Sequence, residues 1–248
     1  MIVLGGSSRQ SLAALRVALD NTLKGVSADD ASAISSGLFK ALVAIDSSTG
    51  LRRALTDSAR DASSKSDLVS DLFKKSLTGP VLALLANATS LRWSSPSGIA
   101  DAIEQIAVEA EATAANLGNS LDQVQSEIFT FSKLLIENPD LRTALSERAQ
   151  SPESKQALLK SIFGSKFSAS TNSLLSHSVE SRRARSIEKT IAAYSHAVTA
   201  RRNRVNAHIK SSIALSDVQA KKLADSLTKK IGQPVHLNIE IDPNVLGG

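Results

Sequence analysis

The sequence contains no cysteine, and its 248 residues include only one methionine, one tryptophan and one tyrosine. The absence of cysteine excludes a disulfide framework and a thiolate metal site, and it is typical of a reducing compartment. Aromatic residues make up 3% of the chain, whereas hydrophobic residues make up 42%. The cores must therefore be filled mainly by aliphatic side chains, which favours packed helices.

Strong net charge and long apolar runs are missing as well. The formal net charge is +5 at pH 7, a mild basic bias that is too small to indicate a nucleic-acid tail. No apolar run approaches the roughly 18 residues of a membrane-spanning helix. The short run Ile2 to Leu4 has no positive region before it, so the amino terminus lacks the pattern of a secretory signal. We expect the chain to meet a membrane only through a partner.

The usual enzyme signatures are also missing. The sequence has no GxxxxGK[ST] phosphate loop, no GxGxxG after a strand, no HExxH and no cysteine nucleophile. Its four histidines are scattered, and only His208 and His236 could face each other across paired strands. Two histidines are fewer ligands than a metal site usually takes. We therefore predict no catalytic, cofactor-binding or metal-binding residues and no small-molecule substrate.

Helical periodicity dominates the first 200 residues. Apolar residues recur at three- and four-residue spacing, as in the stripe Leu12, Leu15, Leu19 and Leu23, and glycine, proline or serine separates the segments. Ser151 followed by Pro152 is a favoured helix start. The periodicity predicts nine or more helices, at 8–23, 28–46, 64–78, 80–92, 98–117, 120–137, 152–163, 170–180 and 184–203.

An internal repeat emerges when the chain is shifted by 90 residues against itself. The string LRRAL at 51–55 then falls on LRTAL at 141–145 without a gap. The same register aligns further identical residues: Phe39 with Phe129, Ala59 with Ala149, Ser64 with Ser154, Lys65 with Lys155, Leu68 with Leu158, Phe73 with Phe163, Leu84 with Leu174, Leu85 with Leu175, and Arg92 with Arg182. These matches favour a duplicated helical module.

The pattern changes after Arg202. Apolar and polar residues alternate from Val205 to Ser211 and again from Pro234 to Ile241, which is the two-residue period of a strand. Helical spacing lies between these segments, from Leu215 to Lys230. The tail is therefore predicted to be strand, helix, strand.

Two stretches carry charge of one sign. Residues 181–204 have a net charge of +6, and residues 93–132 contain six acidic residues and no lysine or arginine. Such stretches usually form the solvated side of a helix, but they can also select partner helices of opposite charge. The basic stretch could grip phosphates, although no set of aromatic residues for stacking bases accompanies it.

The tail carries the most specific resemblance. The segments RVNAHIKSSIALS at 204–216 and GQPVHLNIEIDPNVLGG at 232–248 resemble the carboxyl-terminal signature of ATP synthase delta subunits, the bacterial equivalents of the oligomycin-sensitivity-conferring protein. Upstream, NPDLRTAL at 138–145 and residues 155–163 resemble the helical domain of that family. The similarity covers residues 100–248, and the preceding module resembles the longer delta subunits of actinobacteria. The family pattern continues beyond Gly248, so we expect an incomplete tail.

The repeat and the resemblance together imply the fold. We expect a mainly α protein in which two related helical-bundle modules of about six helices each, which can share a connecting helix, precede a small α/β domain with a short sheet. The expected domains are residues 1–97, residues 98–201 and residues 202–248.

The resemblance also implies a function. It points to a non-enzymatic stator, or peripheral-stalk, subunit of an F-type ATP synthase that links the alpha/beta catalytic head to the b subunits and resists rotor torque during proton-driven ATP synthesis. The implied partners are the amino-terminal helices of alpha subunits, the beta subunit head, and the b and b-prime subunits. The implied location is the cytoplasmic face of the plasma membrane, within the complex. No cofactor and no nucleic acid is implied.

Family members receive the alpha-subunit helix in a groove between the first and fifth helices of the bundle. Two such grooves are conceivable here, one from 8–23 with 80–92, with Trp93 at its end, and one from 99–117 with 170–180. The predicted groove residues are Leu12, Leu15, Leu84, Leu91, Ile99, Ile103, Leu174 and Ser178. The predicted residues on the b-subunit side are Val205, Ile209, Leu215, Leu223, Leu237 and Ile239.

Two other function classes stay open. A helical-repeat scaffold unrelated to ATP synthase would explain the duplication but not the tail signature. A nucleic-acid-binding module on the basic face from Arg182 to Arg204 would show binding that falls steeply with salt. The apolar groove residues could also be plain bundle core, in which case a charge substitution would unfold the domain instead of abolishing partner binding.

Overall fold

A computed structural model describes residues 5–147, 149–180, 186–202, 205–211, 215–231 and 235–241 of the chain. It divides into two compact units, Met1–Thr199 and Ala200–Gly248. The helices that begin in the first unit are α1 (Gly6–Thr22), α2 (Ala28–Ser47), α3 (Thr49–Thr56), α4 (Ala62–Phe73), α5 (Gly79–Ser90), α6 (Pro96–Leu117), α7 (Leu121–Glu137), α8 (Pro139–Ser146), α9 (Pro152–Phe163), α10 (Ala169–Glu180) and α11 (Ile187–Arg202). The mainly helical prediction is confirmed.

Two short helices, α3 and α8, were not among the predicted segments. Each has only eight residues, which is too short for an apolar stripe to repeat. Local features start both of them. The Ser48 hydroxyl accepts a hydrogen bond from the Leu51 amide at the start of α3, and Pro139 occupies the first turn of α8.

The sequence repeat is also a repeat of helices. Helices α3, α4 and α5 begin and end 90 residues before α8, α9 and α10, and α1 begins 90 residues before α6. The long helix α6 follows the first five helices and precedes the next five, α7 to α11. It is therefore the last helix of one set and the first helix of the other.

Helix α6 forms the centre of the first unit. Between Gly98 and Ala115 only Asp101, Gln105 and Thr113 are half-buried, and every other residue is buried. Helix α2 packs along α6 in an antiparallel direction, because its Ser32 bonds to Glu111 and its Ser35 bonds to Ala107. The two modules consequently share one continuous core.

A glycine allows α2 to approach α5 closely at one point. A Cβ atom added at Gly37 would come within 2.8 Å of Val81 Cγ2, which is closer than side-chain atoms pack. Any larger residue at position 37 would push α2 away from α5. Helix α2 is therefore held between helices of its own module and the central helix.

Four of the six acidic residues at 93–132 are buried, contrary to the predicted charged surface, whereas Asp101 is half-buried and Asp122 is exposed. Glu104, Glu109 and Glu111 are each at most 2% exposed. Tyr194 Oη donates to Glu104 Oε1 over 3.2 Å, and Arg16 Nη2 lies 2.7 Å from Glu109 Oε1. Glu111 accepts from the Ser32 hydroxyl. These carboxylates are buried with hydrogen-bond partners, as buried charges must be.

The repeat also places two buried lysines at equivalent positions, Lys65 in α4 and Lys155 in α9. Lys65 Nζ donates to the carbonyl oxygen of Asp57 over 3.3 Å. Burial lowers the pKa of Lys155 below its ordinary value, and the negative charge of Glu147 opposes that shift. Asp57 and Glu147 are themselves 90 residues apart, so both modules keep an acidic residue at this point.

The second unit contains β1 (Val205–Ser211), α12 (Asp217–Ile231) and β2 (Val235–Ile241). The strands pair in parallel, with Ile209 opposite Ile239. His208 pairs with Asn238, and His236 pairs with Asn206. The two histidines are therefore offset by two residues along the strands and do not face each other, contrary to the prediction. None of the described helices is both long and apolar enough to cross a membrane.

Candidate partner-binding site

The predicted groove residues lie beneath the surface of the first unit. Leu91 is half-buried, and the other seven are buried: Leu12, Leu15, Leu84, Ile99, Ile103, Leu174 and Ser178. They support the helices from inside. The side chains that a partner could touch must therefore be their outward-facing neighbours.

The predicted b-subunit side falls in the second unit. Leu215 and Leu223 are half-buried, as are Leu237 and Ile239 of β2. Val205 and Ile209 lie in β1, opposite Val235 and Ile239. The strand register therefore brings four of these apolar positions together on two neighbouring strands.

Helices α1 and α5 pack side by side in antiparallel directions. The Ser11 hydroxyl near the start of α1 donates to the carbonyl oxygen of Arg92, just past the end of α5. The amide of Ser94 donates to the Ser8 hydroxyl over 2.8 Å. These bonds fix the two helices against each other and leave one long side of the pair facing outward.

We call that outward side the first groove and define it by Val17 and Asn21 on α1 and by Asn87 and Ser90 on α5. Val17 is 60% exposed, and the other three residues are exposed as well. Small residues lie around them, because Ala13, Ala14 and Ala83 are also exposed. The surface is therefore shallow and partly apolar, and it can admit another helix closely.

The second groove is the equivalent side of α6 and α10. Positions 90 residues after the four defining residues are Ala107 and Glu111 on α6 and His177 and Glu180 on α10. Ala107 and Glu111 are at most 1% exposed, and His177 and Glu180 are half-buried. The same surface that is open in the first module is covered in the second.

Helix α2 is the element that covers the second groove. The Ser35 hydroxyl donates to the carbonyl oxygen of Ala107 over 2.9 Å, and the Phe39 ring stacks on the His177 ring with centroids 4.1 Å apart. Phe39 also lies 6.2 Å from the Tyr194 ring of α11. Farther along, α2 and α10 enclose a cavity of about 160 Å³ that Asp46 and Glu180 help to line. The contact thus extends along most of α2.

The polar side chains at one end of the second groove form hydrogen bonds with one another. His177 Nδ1 lies 2.8 Å from Glu180 Oε2, and Gln156 Nε2 donates to Glu180 Oε1 over 2.6 Å. Burial acts to raise the pKa of Glu180, but the bonds from His177 and Gln156 outweigh it and lower that pKa, against a small opposing effect of Glu153. These groups satisfy one another and need no external ligand.

The exposed residues of the first groove were not predicted from the sequence, because leucine stripes mark the inward side of a helix. Val17 does carry a signal, since it is an apolar residue outside the stripe Leu12, Leu15, Leu19 and Leu23. Asn87 and Ser90 carry none. Only their position in the repeat connects them to His177 and Glu180.

The predicted basic face is only partly within the described residues. Arg182, Arg183, Arg185 and Arg204 lie outside them, whereas Lys189 is exposed and Arg201 is half-buried. Within the described parts of the chain, no group of histidine, aspartate and glutamate residues is arranged to hold a metal ion.

Comparison with known proteins shows the family of the chain. The family model for the ATP synthase delta (OSCP) subunit matches residues 108–248. An ATP synthase subunit delta of Streptomyces coelicolor is 35% identical over 98% of this chain and 88% of its own length. The chain belongs to the ATP synthase delta (OSCP) family. Subunits delta of Thermobifida fusca and Kineococcus radiotolerans are each 32% identical over 98% of this chain.

Membership of the delta family fixes the role of the chain. It is a non-catalytic stator subunit of the peripheral stalk in an F-type ATP synthase, which is a membrane-associated complex. The family model begins at residue 108, inside α6, whereas the Streptomyces coelicolor relative aligns with nearly the whole chain. The scaffold and nucleic-acid interpretations have no comparable support.

Proposed function

We propose that the helical unit binds the catalytic head through amino-terminal helices of alpha subunits, next to the beta subunits, and that the tail holds the b and b-prime subunits. The observation that carries this proposal is the burial of α6, which belongs to both helical modules. A connector under torque must not bend between its attachment points. A shared, fully packed helix supplies that stiffness, since close-packed interiors resist deformation.

The domain division follows from the same proposal. Residues 1–97 and 98–201 act as two related helical modules, and residues 202–248 act as the small α/β domain. In the helical modules, Leu12, Leu15, Leu84 and Leu91, and Ile99, Ile103, Leu174 and Ser178, shape the two grooves from below. Grooves between packed helices are a common receptor for amphipathic helices.

The tail is the proposed attachment point of the peripheral stalk. Its candidate contacts are Val205, Ile209, Leu215, Leu223, Leu237 and Ile239. The half-burial of Leu223, Leu237 and Ile239 supports this assignment, because such side chains gain further burial when a partner helix covers them. Permanent attachment calls for a large interface, commonly about 2,000 Å² or more. We infer that the chain lies at the cytoplasmic face of the plasma membrane, as part of the complex.

The test is affinity purification of the tagged full-length chain from its own membranes, followed by mass spectrometry. Recovery of alpha, beta and b subunits at moderate salt is the expected result. A tagged variant truncated after Arg202 should retain alpha and beta but lose b. Recovery of nucleic acid or unrelated proteins, without ATP synthase subunits, would contradict the proposal.

A further inference from the structure

We propose that the second groove is closed to partners because the chain's own α2 fills it, so that only the first groove is left to bind a partner helix. This inference rests on the proposed function and specifies where the head is bound. The residues of the second groove are buried by α2, whereas Val17 and the other residues of the first groove are exposed. One chain therefore contains an occupied and an open version of the same binding surface.

Helix α2 shows what kind of helix the first groove accepts. It meets the second groove with Ser35 against the α6 backbone and with Phe39, four residues later, against the α10 side. Leu42 and Val43 continue this face into the cavity beside α10. The spacing of three and four residues is that of one helix face. The partner is therefore an amphipathic helix with a small residue and then a large apolar residue one turn later.

The direction of the partner helix follows from the same comparison. Helix α2 runs antiparallel to α6, since Ser32 meets Glu111 and Ser35 meets Ala107. By the repeat, the partner helix runs antiparallel to α1, with its carboxyl-terminal half beside Arg9 and the end of α5. Arg9 and Arg92 are both exposed there. A cationic end suits the carboxyl terminus of a helix and acidic residues near it.

The first groove also has smaller side chains than the second. The positions equivalent to Ala13 and Ala14 are Ile103 and Glu104, which are both buried, and Tyr194 of α11 donates a hydrogen bond to Glu104. The alanines of the first groove are smaller than Ile103 and Glu104 and leave more room for the side chains of a partner helix. A substitution that introduces a charged side chain there should therefore block docking without disturbing the core.

The experiment is isothermal titration calorimetry of the full-length chain with a tryptophan-free synthetic peptide of the amino terminus of the organism's own alpha subunit. The expected stoichiometry is one peptide per chain. Val17→Glu should weaken binding about tenfold or more, and Asn87→Arg on the other side of the groove should do the same. Leu72→Glu is the matched control, because Leu72 is 50% exposed on α4, and it should leave the affinity unchanged.

Trp93 gives an independent readout of location, since it is the only tryptophan of the chain and follows α5 directly. Its indole nitrogen donates to the carbonyl oxygen of Ala88 over 2.8 Å, so it is fixed at one end of the first groove. Peptide binding should shift its fluorescence in the native chain and in Leu72→Glu.

The results of these experiments distinguish the single-groove inference from the proposed binding of the catalytic head. Two peptides per chain, or undiminished binding to both Val17→Glu and Asn87→Arg, would overturn the single-groove inference and leave the head-binding role intact. Failure of the native chain to bind the peptide at all would contradict the proposed partner, and the inference would fall with it. Unfolding curves of the variants that match those of the native chain would show that the fold is preserved.

Discussion

Phe39 and Phe129 occupy the same position in the two modules, 90 residues apart, yet Phe39 is 2% exposed and Phe129 is 64% exposed. Phe39 lies on α2, which the second module covers, and stacks on His177. Phe129 lies on α7, the counterpart of α2. The different exposure of these two side chains therefore reflects the packing of α2 against the second module.

Substitution of Phe39 and of Phe129 by alanine should lower the free energy of unfolding by different amounts. Phe39→Ala should lower the free energy of unfolding by about 3 to 5 kcal/mol, because a large side chain leaves a packed core. Phe129→Ala should change it by about 0.5 kcal/mol or less, as expected for an exposed site. Urea denaturation of both variants measures the difference. Similar losses for the two would mean that α2 does not bury Phe39 as described.

Glu127 should stabilise the fold at neutral pH. Burial acts to raise its pKa, but hydrogen bonds from Thr171, Ser168 and Gln123 outweigh burial and lower the pKa below the ordinary carboxyl value. The amide of Ser168 bonds to both carboxylate oxygens over 3.0 Å. Glu127→Gln should therefore cost about 2 kcal/mol at pH 7.

The sign of the pH dependence follows from the lowered pKa of Glu127. The stabilisation is present above the unfolded-state pKa and is lost as pH falls through the folded-state pKa. The stability gap between the native chain and Glu127→Gln should therefore shrink in acid. Glu137→Gln, at an exposed position on the same helix, is the control and should be neutral at all pH values. A gap that widens in acid would refute the assignment.

Lys155 should weaken the fold at neutral pH. Its pKa is lowered by burial, so the folded state binds the proton less tightly than the unfolded state. The penalty is full below the folded-state pKa and is relieved as pH rises from that value toward 10.5. Lys155→Met should therefore stabilise the chain by about 1 kcal/mol at pH 7, and the advantage should fall at alkaline pH.

Chemical denaturation at two pH values tests the Lys155 prediction. Lys160→Met is the control, because Lys160 is exposed on the same helix. Destabilisation by Lys155→Met at pH 7 would show that the interaction with Glu147 exceeds the burial penalty.

The two helical modules should not be separable. A chain that begins at Ser94 keeps α6 but loses α2, which exposes the Ala107 side of a helix that is otherwise buried. It should aggregate or unfold without a cooperative transition, whereas residues 1–199 should fold as one unit. Circular dichroism melting and size-exclusion chromatography distinguish the two. A stable monomer beginning at Ser94 would contradict the shared core.

The helices themselves followed closely from the sequence. The predicted segment 152–163 has the same bounds as α9, because a serine cap, a proline in the first turn and an apolar stripe all act locally. The exposed residues of the grooves could not be predicted from the sequence. Leucines such as Leu12 and Leu84 mark the packed side of each helix, and a partner surface of alanine and asparagine has no periodic signal. The coverage of the second groove depends on contacts such as Ser35 with Ala107, far apart in the chain. Local patterns do not contain that information.

The most direct test of the first groove as the docking site is photo-crosslinking in the assembled enzyme. A photoreactive amino acid is placed at Val17 in the first groove, or at the exposed Phe129 of the second module, and the chain is expressed in its own cells. Irradiated membranes should yield a crosslink to the alpha subunit from position 17 and none from position 129. A crosslink to the alpha subunit from position 129 and none from position 17 would contradict the assignment of the first groove as the docking site of the catalytic head.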